Sequence, residues 1–359
     1  MSYRFVLPLI LAGGFAPAGL AQIAGDPIEM VTGQVSAVDA SSRTDAVRLL
    51  EQARNQYALR GTRRAYDLKV AFTVKSGGIT ELDGDWTMED VFDTRQGLRW
   101  TATGPGGYTI TRISRNGMLY GDDTGAYVPL RLQEARAALF DPMPSAENVN
   151  RASIRTSIVA RNGVALTCVL LSSSGNGMIT AAGRRWDESE ECIDPQSGLL
   201  QVHSQVPGRY YSYDYSNAVK LADRTLPRQV TVNEGGRAVS TITVESFTEL
   251  SAADAALFQP TDKMKSKGRP ITLGGAQKVS RTFGPNPPAR TTMAQTVCVF
   301  GVVTPSGQLM EAHSLQPSNP DSAAAVAAAK QMSFAGLTPP GQQPQQFFVF
   351  VIGKFSAAR

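Results

Sequence analysis

Histidine and cysteine are scarce in this chain. Its 359 residues contain two histidines and three cysteines. His203 and His313 lie far apart, and a lone histidine in a strand-like pattern is more often a surface or satisfied core residue than a catalytic base. The cysteines do not form the CxxC spacing that zinc sites use. The sequence therefore indicates neither a metal centre nor a histidine-based catalytic site.

Catalytic and phosphate-binding motifs are also missing. We find no GxSxG, HExxH or GxxxxGK[ST] pattern. The acidic stretch between Asp83 and Asp93 lacks the DxDxDG spacing and closing glutamate of a calcium loop, so we favour a solvated strand face there. We predict that the protein is not an enzyme and that it needs no metal or cofactor.

A long apolar run occurs only at the N-terminus. The segment MSYRFVLPLILAGGFAPAGLAQ has one basic residue, a short apolar stretch broken by proline and glycine, and small residues before a cleavage point after Ala21. This pattern predicts a cleaved signal peptide at residues 1–21 in preference to a membrane anchor, and a periplasmic location for the mature protein. Residues 22–41 are small and polar, and we predict that they are disordered.

Acidic residues are missing from one basic segment. Seven lysines and arginines fall between residues 263 and 290 without any acid, which exceeds the net charge of +4 of the whole chain. Binding of anionic lipid, glycan or nucleic acid is one interpretation. We favour a solvated, extended linker over residues 263–292. Export and the lack of interleaved aromatic residues predict that nucleic acid is not a partner.

The three cysteines suggest one disulfide in an oxidising compartment. Cys168 lies in the strand-like VALTCVLL, and Cys192 comes just before the turn DPQSG, so a hairpin-like cross-link between them is reasonable. Cys298 lies in an apolar strand and is predicted to be a buried thiol.

The middle of the chain alternates with period two between close turns. After an amphipathic helix that ends before Gly61, this pattern predicts many short antiparallel strands in an open or closed barrel-like sheet. The predicted strands are Tyr66–Val74, Thr80–Phe92, Gly97–Thr103, Tyr108–Ser114, Ile154–Val159, Ala165–Ser172, Leu199–Gln205, Arg209–Tyr215, Pro227–Asn233 and Ala238–Glu249. One helix, Pro129–Phe140, interrupts them.

Residues 42–262 resemble the LolA/LolB-like periplasmic carrier fold. The resemblance rests on this layout and on ECIDPQSGLLQ, YYSYDYSNAVKLADRTLPRQVTVNEGG and SFTELSAADAALFQP. It implies an open antiparallel β half-barrel that curls over an apolar cavity for a lipid or other apolar ligand, with the helix Pro129–Phe140 as its plug. The candidate cavity residues are Phe72, Trp86, Trp100, Ile110, Leu139, Phe140 and Tyr213. The alternative is that these side chains fill a solid β core, as large aromatic residues usually do.

The C-terminal segment, residues 293–359, predicts a small β-β-α-β domain. Thr304-Pro305-Ser306-Gly307 suits a type I turn between two strands, and Asp321 can cap an alanine-rich helix. In the last strand, Phe348, Phe350 and Ile352 share one face. Phe347, Val349 and Val351 share the other face.

This order, with VTPSGQL, AAAKQMSF and VFVIGKF, resembles the TonB C-terminal domain family over residues 293–357. The family pairs with a short peptide of an outer-membrane receptor by strand addition. The resemblance implies a partner-binding edge strand at Gln346–Lys354, through Gln346, Phe348, Val349, Phe350, Val351, Ile352 and Lys354. The sequence thus predicts a mainly β protein of two domains, with an α+β C-terminal one. The predicted function is binding of an envelope protein by strand addition, linked to TonB-type outer-membrane transport. Carriage or sensing of an apolar ligand is the alternative.

Overall fold

The fold is described from a computed structural model. It covers residues 36–37, 40–57, 59, 64–78, 80–173, 184–222, 224–271, 280–283, 295–334 and 344–355. The predicted signal peptide and most of the predicted disordered segment lie outside these residues. Residues 36–37 instead form a short strand, and the first helix begins at Ala40. Within the described residues, no helix is both long enough and apolar enough to cross a lipid bilayer.

One open antiparallel sheet makes up most of the molecule. Its order is β1-β7-β8-β9-β10-β11-β14-β15-β2-β3-β4-β5-β6-β16, so β1 and β16 are its edges. These strands are β1 (Ser36–Ala37), β2 (Ala65–Val74), β3 (Gly84–Asp93), β4 (Gly97–Gly104), β5 (Tyr108–Arg115), β6 (Met118–Asp123), β7 (Ser153–Arg161), β8 (Val164–Ser172), β9 (Glu188–Ile193), β10 (Leu200–Val206), β11 (Arg209–Asp214), β14 (Gln229–Glu234), β15 (Arg237–Leu250) and β16 (Arg269–Pro270). Strands β12 (Val219–Leu221) and β13 (Arg224–Leu226) form a separate hairpin. The predicted mainly β architecture is confirmed.

Apolar side chains cover one face of the large sheet, which we call the inner face. In β2, for example, Tyr66, Leu68, Val70, Phe72 and Val74 are buried in alternation with more exposed residues. Such alternation gives each strand one face for the core. Two helices, α1 (Ala40–Tyr57) and α2 (Leu130–Phe140), pack against this face in a single apolar cluster. The short α3 (Ala146–Arg151) follows α2.

The predicted strand Thr80–Phe92 is two elements. Thr80–Leu82 is a short 3-10 helix, and β3 begins at Gly84, whose φ of +132° is in a region that favours glycine. Four further strands of this region, β6, β9, β12 and β13, have no counterpart in the predicted set. They are short or rich in acidic residues, and this weakens a strand pattern.

A second, four-stranded sheet lies near the C-terminus in the order β17-β20-β18-β19. It contains β17 (Ser280–Phe283), β18 (Gln295–Val303), β19 (Leu309–Ser314) and β20 (Phe347–Phe355), and helix α5 (Ser322–Lys330) packs on it. We call this sheet with α5 the C-terminal module. The predicted division of the faces of β20 is confirmed. Phe347, Val349 and Val351 face α5, while Phe348, Phe350 and Ile352 face the large sheet domain.

The prediction that Gln346–Lys354 is an exposed edge is wrong. β20 pairs with β18 along its full length and with β17 in parallel between Val349 and Ile352. The side chains of Gln346, Phe348, Val349, Phe350, Val351 and Ile352 are all buried; that of Lys354 lies outside the described side chains. The faces of β20 are covered by α5 and by the large sheet domain, and its backbone pairs with β18 on one side and with β17 over four residues on the other.

The predicted free linker is also wrong for part of its length. Asp262–Lys265 forms helix α4, whose Met264 is buried with Val91, Ile113 and Phe258. Arg269–Pro270 pairs with β6 as β16. Ser280–Phe283 pairs with β20, and residues 272–279 and 284–294 lie outside the described residues. A basic side chain of α4 forms an ion pair with the large sheet: Lys263 Nζ lies 2.7 Å from Asp122 Oδ1.

The predicted disulfide joins Cys168 and Cys192. The two residues face each other directly on the neighbouring strands β8 and β9, so the hairpin-like cross-link is confirmed. Cys298 is buried and lies outside this disulfide, also as predicted.

Candidate functional site

Helix α2 is buried on almost all sides. Pro129 precedes its first turn, where the missing N–H of proline costs nothing, and Asp141-Pro142 ends it. Eight of its eleven residues are buried, and they include charged as well as apolar ones: Leu130, Arg131, Leu132, Glu134, Ala135, Ala138, Leu139 and Phe140. A surface helix would expose one polar face. α2 is therefore an internal element between the sheet and the C-terminal module.

The seven candidate cavity residues do come together. Phe72, Trp86, Ile110, Leu139, Phe140 and Tyr213 belong to the apolar cluster of the inner face, and Trp100 packs against it. The rings of Phe72 and Trp86 stack with centroids 5.6 Å apart. With α2 seated, these side chains pack as a core. Occupation of their site by a ligand stays a prediction.

One charged contact holds the middle of α2 to the sheet. Arg136 Nη2 donates to Asp90 Oδ1 at 3.1 Å, and the guanidinium also lies over the rings of Phe140, at 4.4 Å, and Trp100, at 5.1 Å. Burial raises the pKa of Asp90, against the opposing effect of Arg136. A carboxylate in this position is costly to bury, so it favours a seated Arg136.

The N-terminal half of α2 enters a buried group of six ionisable residues, which we call the charge cluster. Its members are Arg131 and Glu134 of α2, Arg209 of β11, Glu234 of β14, and Glu311 and His313 of β19. Four elements, α2, β11, β14 and β19, thus meet here. Arg209 and Glu234 have no exposed side-chain surface.

Glu234 is the centre of the charge cluster. Its carboxylate accepts from Arg131 at 2.6 and 3.0 Å and from Arg209 Nε at 2.9 Å. His313 Nε2 lies 2.7 Å from Glu234 Oε2. Burial alone would raise the pKa of Glu234, but the guanidinium groups of Arg131 and Arg209 outweigh it and hold that pKa well below its usual range. Glu234 is therefore an ionised acceptor at neutral pH.

The other two carboxylates complete the contacts of the arginines. Arg131 Nη2 donates to Glu311 Oε1 at 2.9 Å, and Arg209 Nη2 donates to Glu134 Oε1 at 2.5 Å. Burial raises the pKa of Glu311 despite the nearby Arg131. Three carboxylates thus face two guanidinium groups, and the imidazole of His313 lies beside Glu234 and Glu311.

Aromatic rings of the C-terminal module close the charge cluster. The guanidinium carbon of Arg209 lies 4.5 Å from the centroid of Phe300 and 5.7 Å from that of Phe348, and Arg131 lies 5.2 Å from Phe300. Phe300 and Phe348 also join Leu130 in the apolar cluster between the module and the sheet domain. Both arginines are thereby shielded from water, which strengthens their ion pairs.

The C-terminal module also caps α2. The amide N–H of Leu130, in the first turn, donates to Gln346 Oε1 at 2.9 Å. Gln346 N–H donates to Val128 O at 3.0 Å, and Val128 N–H donates to Pro344 O at 3.0 Å. Gln133 Nε2 donates to the carbonyl oxygens of Val128 and Gln346. The free N–H groups of a helix start need such acceptors, and here the module supplies one of them.

Two glycine turns of the large sheet touch the module. Gly208 and Gly235 have φ of +83° and +55°, and a Cβ at either would lie 2.7 Å from a backbone oxygen of Leu315 or Ser314, respectively. A side chain at these positions would push the module away. The close approach therefore needs glycine.

In the described part of the chain, two groups of side chains have the spacing of metal ligands. Glu234, Glu311 and His313 form one, but both carboxylates already accept from arginine. Cys168, Glu190 and Cys192 form the other, and there both sulfurs are in the disulfide. Neither group is a cation site as it stands. The predictions of no metal, no cofactor and no catalysis remain untested.

The sequence did not single out the charge cluster. Arg209 and Glu234 stand at strand positions whose neighbours on the same face, Tyr211 and Val232, are buried. Charged residues in line with buried apolar ones are the signal that could have found them. Except for the pairs within α2 and within β19, the paired residues lie at least 25 positions apart on different elements, so the sequence does not indicate the pairing.

Comparison with known proteins adds only distant similarity. No family model matches the sequence, and no curated protein matches it. A LolA superfamily protein from Nitrosomonas europaea is similar at 10% identity, over 62% of this chain and 98% of that one, with a TM-score of 0.37. A DUF1329 family protein from Desulfovibrio piger is similar at 11% identity, over 61% and 96% of the chains, with a TM-score of 0.36.

The MucA/MucB complex of Pseudomonas aeruginosa is also similar, at 12% identity over 73% of this chain and 81% of that one, with a TM-score of 0.28. A LolA superfamily protein is thus among the similar structures, whereas nothing here supports a TonB C-terminal domain. TM-scores below 0.5 carry no argument about function. The proposals below rest on the contacts of this chain.

Proposed function

We propose that this chain is a non-catalytic exported protein that binds an apolar ligand, such as the acyl chain of a lipid, on the inner face of its large sheet. The ligand would take the place of α2. The observation that carries this proposal is the character of α2, an internal helix that lies on an apolar sheet face but is attached by polar contacts at both Arg131 and Arg136. Polar attachments let an element leave and return, because water can replace each of them.

The volume of α2 suits such a ligand. A helix of eleven residues is about 16 Å long and about 10 Å across, so it fills on the order of 1,000 Å³. Ligand pockets typically measure about 300–1,000 Å³. Removal of α2 would therefore open a site large enough for one long acyl chain, lined by the candidate cavity residues of the sheet.

The packing energy of α2 sets a minimum length for an acyl chain that can replace the helix. Its four large buried apolar side chains are Leu130, Leu132, Leu139 and Phe140. Their burial stabilises the seated helix by about 6–12 kcal/mol, at about 1.5–3 kcal/mol each. A buried methylene contributes about 0.8 kcal/mol, so roughly 8 to 15 of them offset that loss. Long acyl chains would therefore bind, whereas short ones would not.

The disulfide supports export. Cys168 and Cys192 are bonded and buried within the sheet. Such bonds persist in oxidising compartments such as the periplasm and are rare in the cytosol. A periplasmic location agrees with the signal-like N-terminus.

Photolabelling with a diazirine-bearing C16 fatty acid tests the proposal. We expect label in peptides of β2–β5 and α2, and native mass spectrometry should find lipid bound to the purified protein. The chain provides its own control, since Ile158, Val164, Leu257 and Ile271 are exposed apolar side chains away from the inner face. Label confined to those four sites would refute an inner-face ligand.

A second candidate function is capture of an envelope protein by strand addition to β20. This is the role suggested by the resemblance of residues 293–357 to the TonB C-terminal domain family. One observation favours it. Among the described residues, pairing on the outer side of β20 is limited to Val349–Ile352, which the four-residue strand β17 covers. Replacing Ser280–Phe283 by Gly-Ser-Gly-Ser should free that side, and binding of a synthetic peptide from the extended segment of a TonB-dependent receptor should then rise. Equal binding to both proteins would count against this function.

A further inference from the structure

We propose that the C-terminal module is a lock on α2, so that the module must leave the sheet domain before α2 can uncover the inner face. This inference rests on the proposed function, since it describes the regulation of the same site. It is carried by the charge cluster and by the cap that Gln346 provides.

The order of release follows from the partners of each charge. If α2 left while the module stayed docked, Arg131 would go with it. The carboxylates of Glu311 and Glu234, which both accept from Arg131, would then remain together in the interface, with Arg209 and His313 as the basic members of the charge cluster beside them. Loss of one partner from a buried ion pair is strongly unfavourable. Release of α2 under a docked module is therefore disfavoured.

Release of the module first has no such penalty. Glu311 and His313 would move with β19 into water. Arg131 and Arg209 would keep Glu134 and Glu234, so the remaining group would contain two charges of each sign. The first turn of α2 would lose the Gln346 acceptor and would gain water instead. Departure of α2 would then remove Arg131 and Glu134 together and leave Arg209 paired with Glu234. Outside the charge cluster, Asp90 would lose its contact with Arg136.

The backbone contact between Val128 and Gln345 allows the lock to be fixed covalently. The two residues form a parallel bridge that joins the start of α2 to the start of β20. Neighbouring strands lie about 4.8 Å apart, within the range of Cα separations that a disulfide tolerates. The test protein is Val128→Cys with Gln345→Cys in a Cys298→Ala background.

Two measurements on the oxidised and reduced test protein decide the matter. The first is amide hydrogen exchange of α2, and the second is binding of a fluorescent C18 fatty acid. We expect oxidation to slow exchange in α2 and to weaken fatty-acid binding, each at least tenfold, with recovery on reduction. The wild-type protein with and without reductant controls for the native disulfide, which is buried.

A charge variant should have the opposite effect on hydrogen exchange to that of the engineered disulfide. Glu311→Gln removes the charge that pairs with Arg131, so α2 and the module should exchange at least fivefold faster while β2 and β3 stay unchanged. Glu245→Gln, on an exposed site of β15, is the matched control and should change neither. A variant with faster exchange everywhere would indicate global destabilisation and would contradict a local lock.

The outcomes separate this inference from the proposed function. Equal α2 exchange in the oxidised and reduced test protein would overturn the lock. So would unchanged fatty-acid binding by the oxidised protein, if photolabelling places that ligand on the inner face. A third outcome is slower α2 exchange on oxidation with no fatty acid bound by any variant. That result would support the lock and refute the proposed ligand.

Discussion

Replacement of Arg209 by methionine should be severely destabilising. Arg209 has no exposed side-chain surface and donates to Glu234 at 2.9 Å, to Glu134 at 2.5 Å and to the hydroxyl of Tyr211 at 3.0 Å. Methionine fills similar space but leaves three buried carboxylates with Arg131 as their only guanidinium partner in the charge cluster. Removal of one partner of a buried ion pair costs about 3–5 kcal/mol. Since Arg209 serves two carboxylates, we expect the loss to reach at least this range.

Denaturant unfolding at neutral pH measures this loss, with Arg48→Met as the matched control. Arg48 pairs with Asp45 at 3.0 Å, but their side chains are 69% and 70% exposed. Exposed pairs contribute about 0–1 kcal/mol, so the control should lose at most that amount. The same substitution thus tests a buried and an exposed arginine in one protein.

The reasoning also predicts a partial rescue. In Arg209→Met with Glu134→Gln, one stranded carboxylate is gone, so the double variant should be more stable than the sum of the single losses by about 1–3 kcal/mol. If Arg209→Met loses less than 1 kcal/mol, or if the two losses are additive, the charge cluster does not hold the interface together in the way described.

Further predictions follow from the same contacts. The depressed pKa of Glu234 means that its charge adds stability above its ordinary pKa of 4.5, and that this stability is lost as the pH falls below it. The stability gap between wild type and Arg209→Met should therefore narrow in acid unfolding measured from pH 7 to pH 3, and a constant gap would contradict this. Gly235→Ala should lower the melting temperature more than Gly163→Ala, because both have positive φ but only Gly235 approaches Ser314; equal shifts would argue against the contact. Cys168→Ala with Cys192→Ala opens a loop with a sequence separation of 24 and should cost about 3.5 kcal/mol in chemical unfolding. Thiol titration of denatured wild type should find one free thiol, Cys298, and a count of three would disprove the bond.

The layout of the C-terminal module could be predicted from its sequence because its signals are local. The turn at Thr304–Gly307 forms a backbone hydrogen bond from Gly307 N–H to Thr304 O at 3.0 Å, and Ala325 and Ala329 face the sheet as their spacing predicts. The edge position of β20 was inferred from its high β propensity, and that was the error. Propensity measures how well a residue fits a sheet, but it does not say which other strands will pair with it. The strand that covers the outer side of β20, Ser280–Phe283, lies in the segment predicted to be a linker.

Strand β9 shows why the sequence pattern failed elsewhere. It contains Glu188, Glu190 and Glu191, all buried, so its composition argues against a strand. Each carboxylate has a partner that the sequence does not mark. Glu188 accepts from Arg155, Glu190 from Arg184, and Glu191 contacts His203. Buried charges become acceptable only when the fold brings their partners together, so a local pattern cannot predict them.

The same reasoning explains what the charge cluster contributes. The apolar contacts of Phe300 and Phe348 would hold the module on the sheet domain but would tolerate sliding, since such contacts are not directional. Ion pairs with fixed geometry allow one arrangement. Buried ion pairs add little net stability over apolar packing, whereas breaking only one partner is costly. A cluster of this kind therefore fixes the docked position and resists partial opening, while full separation into water stays within reach. These are the properties that a releasable lock on α2 requires.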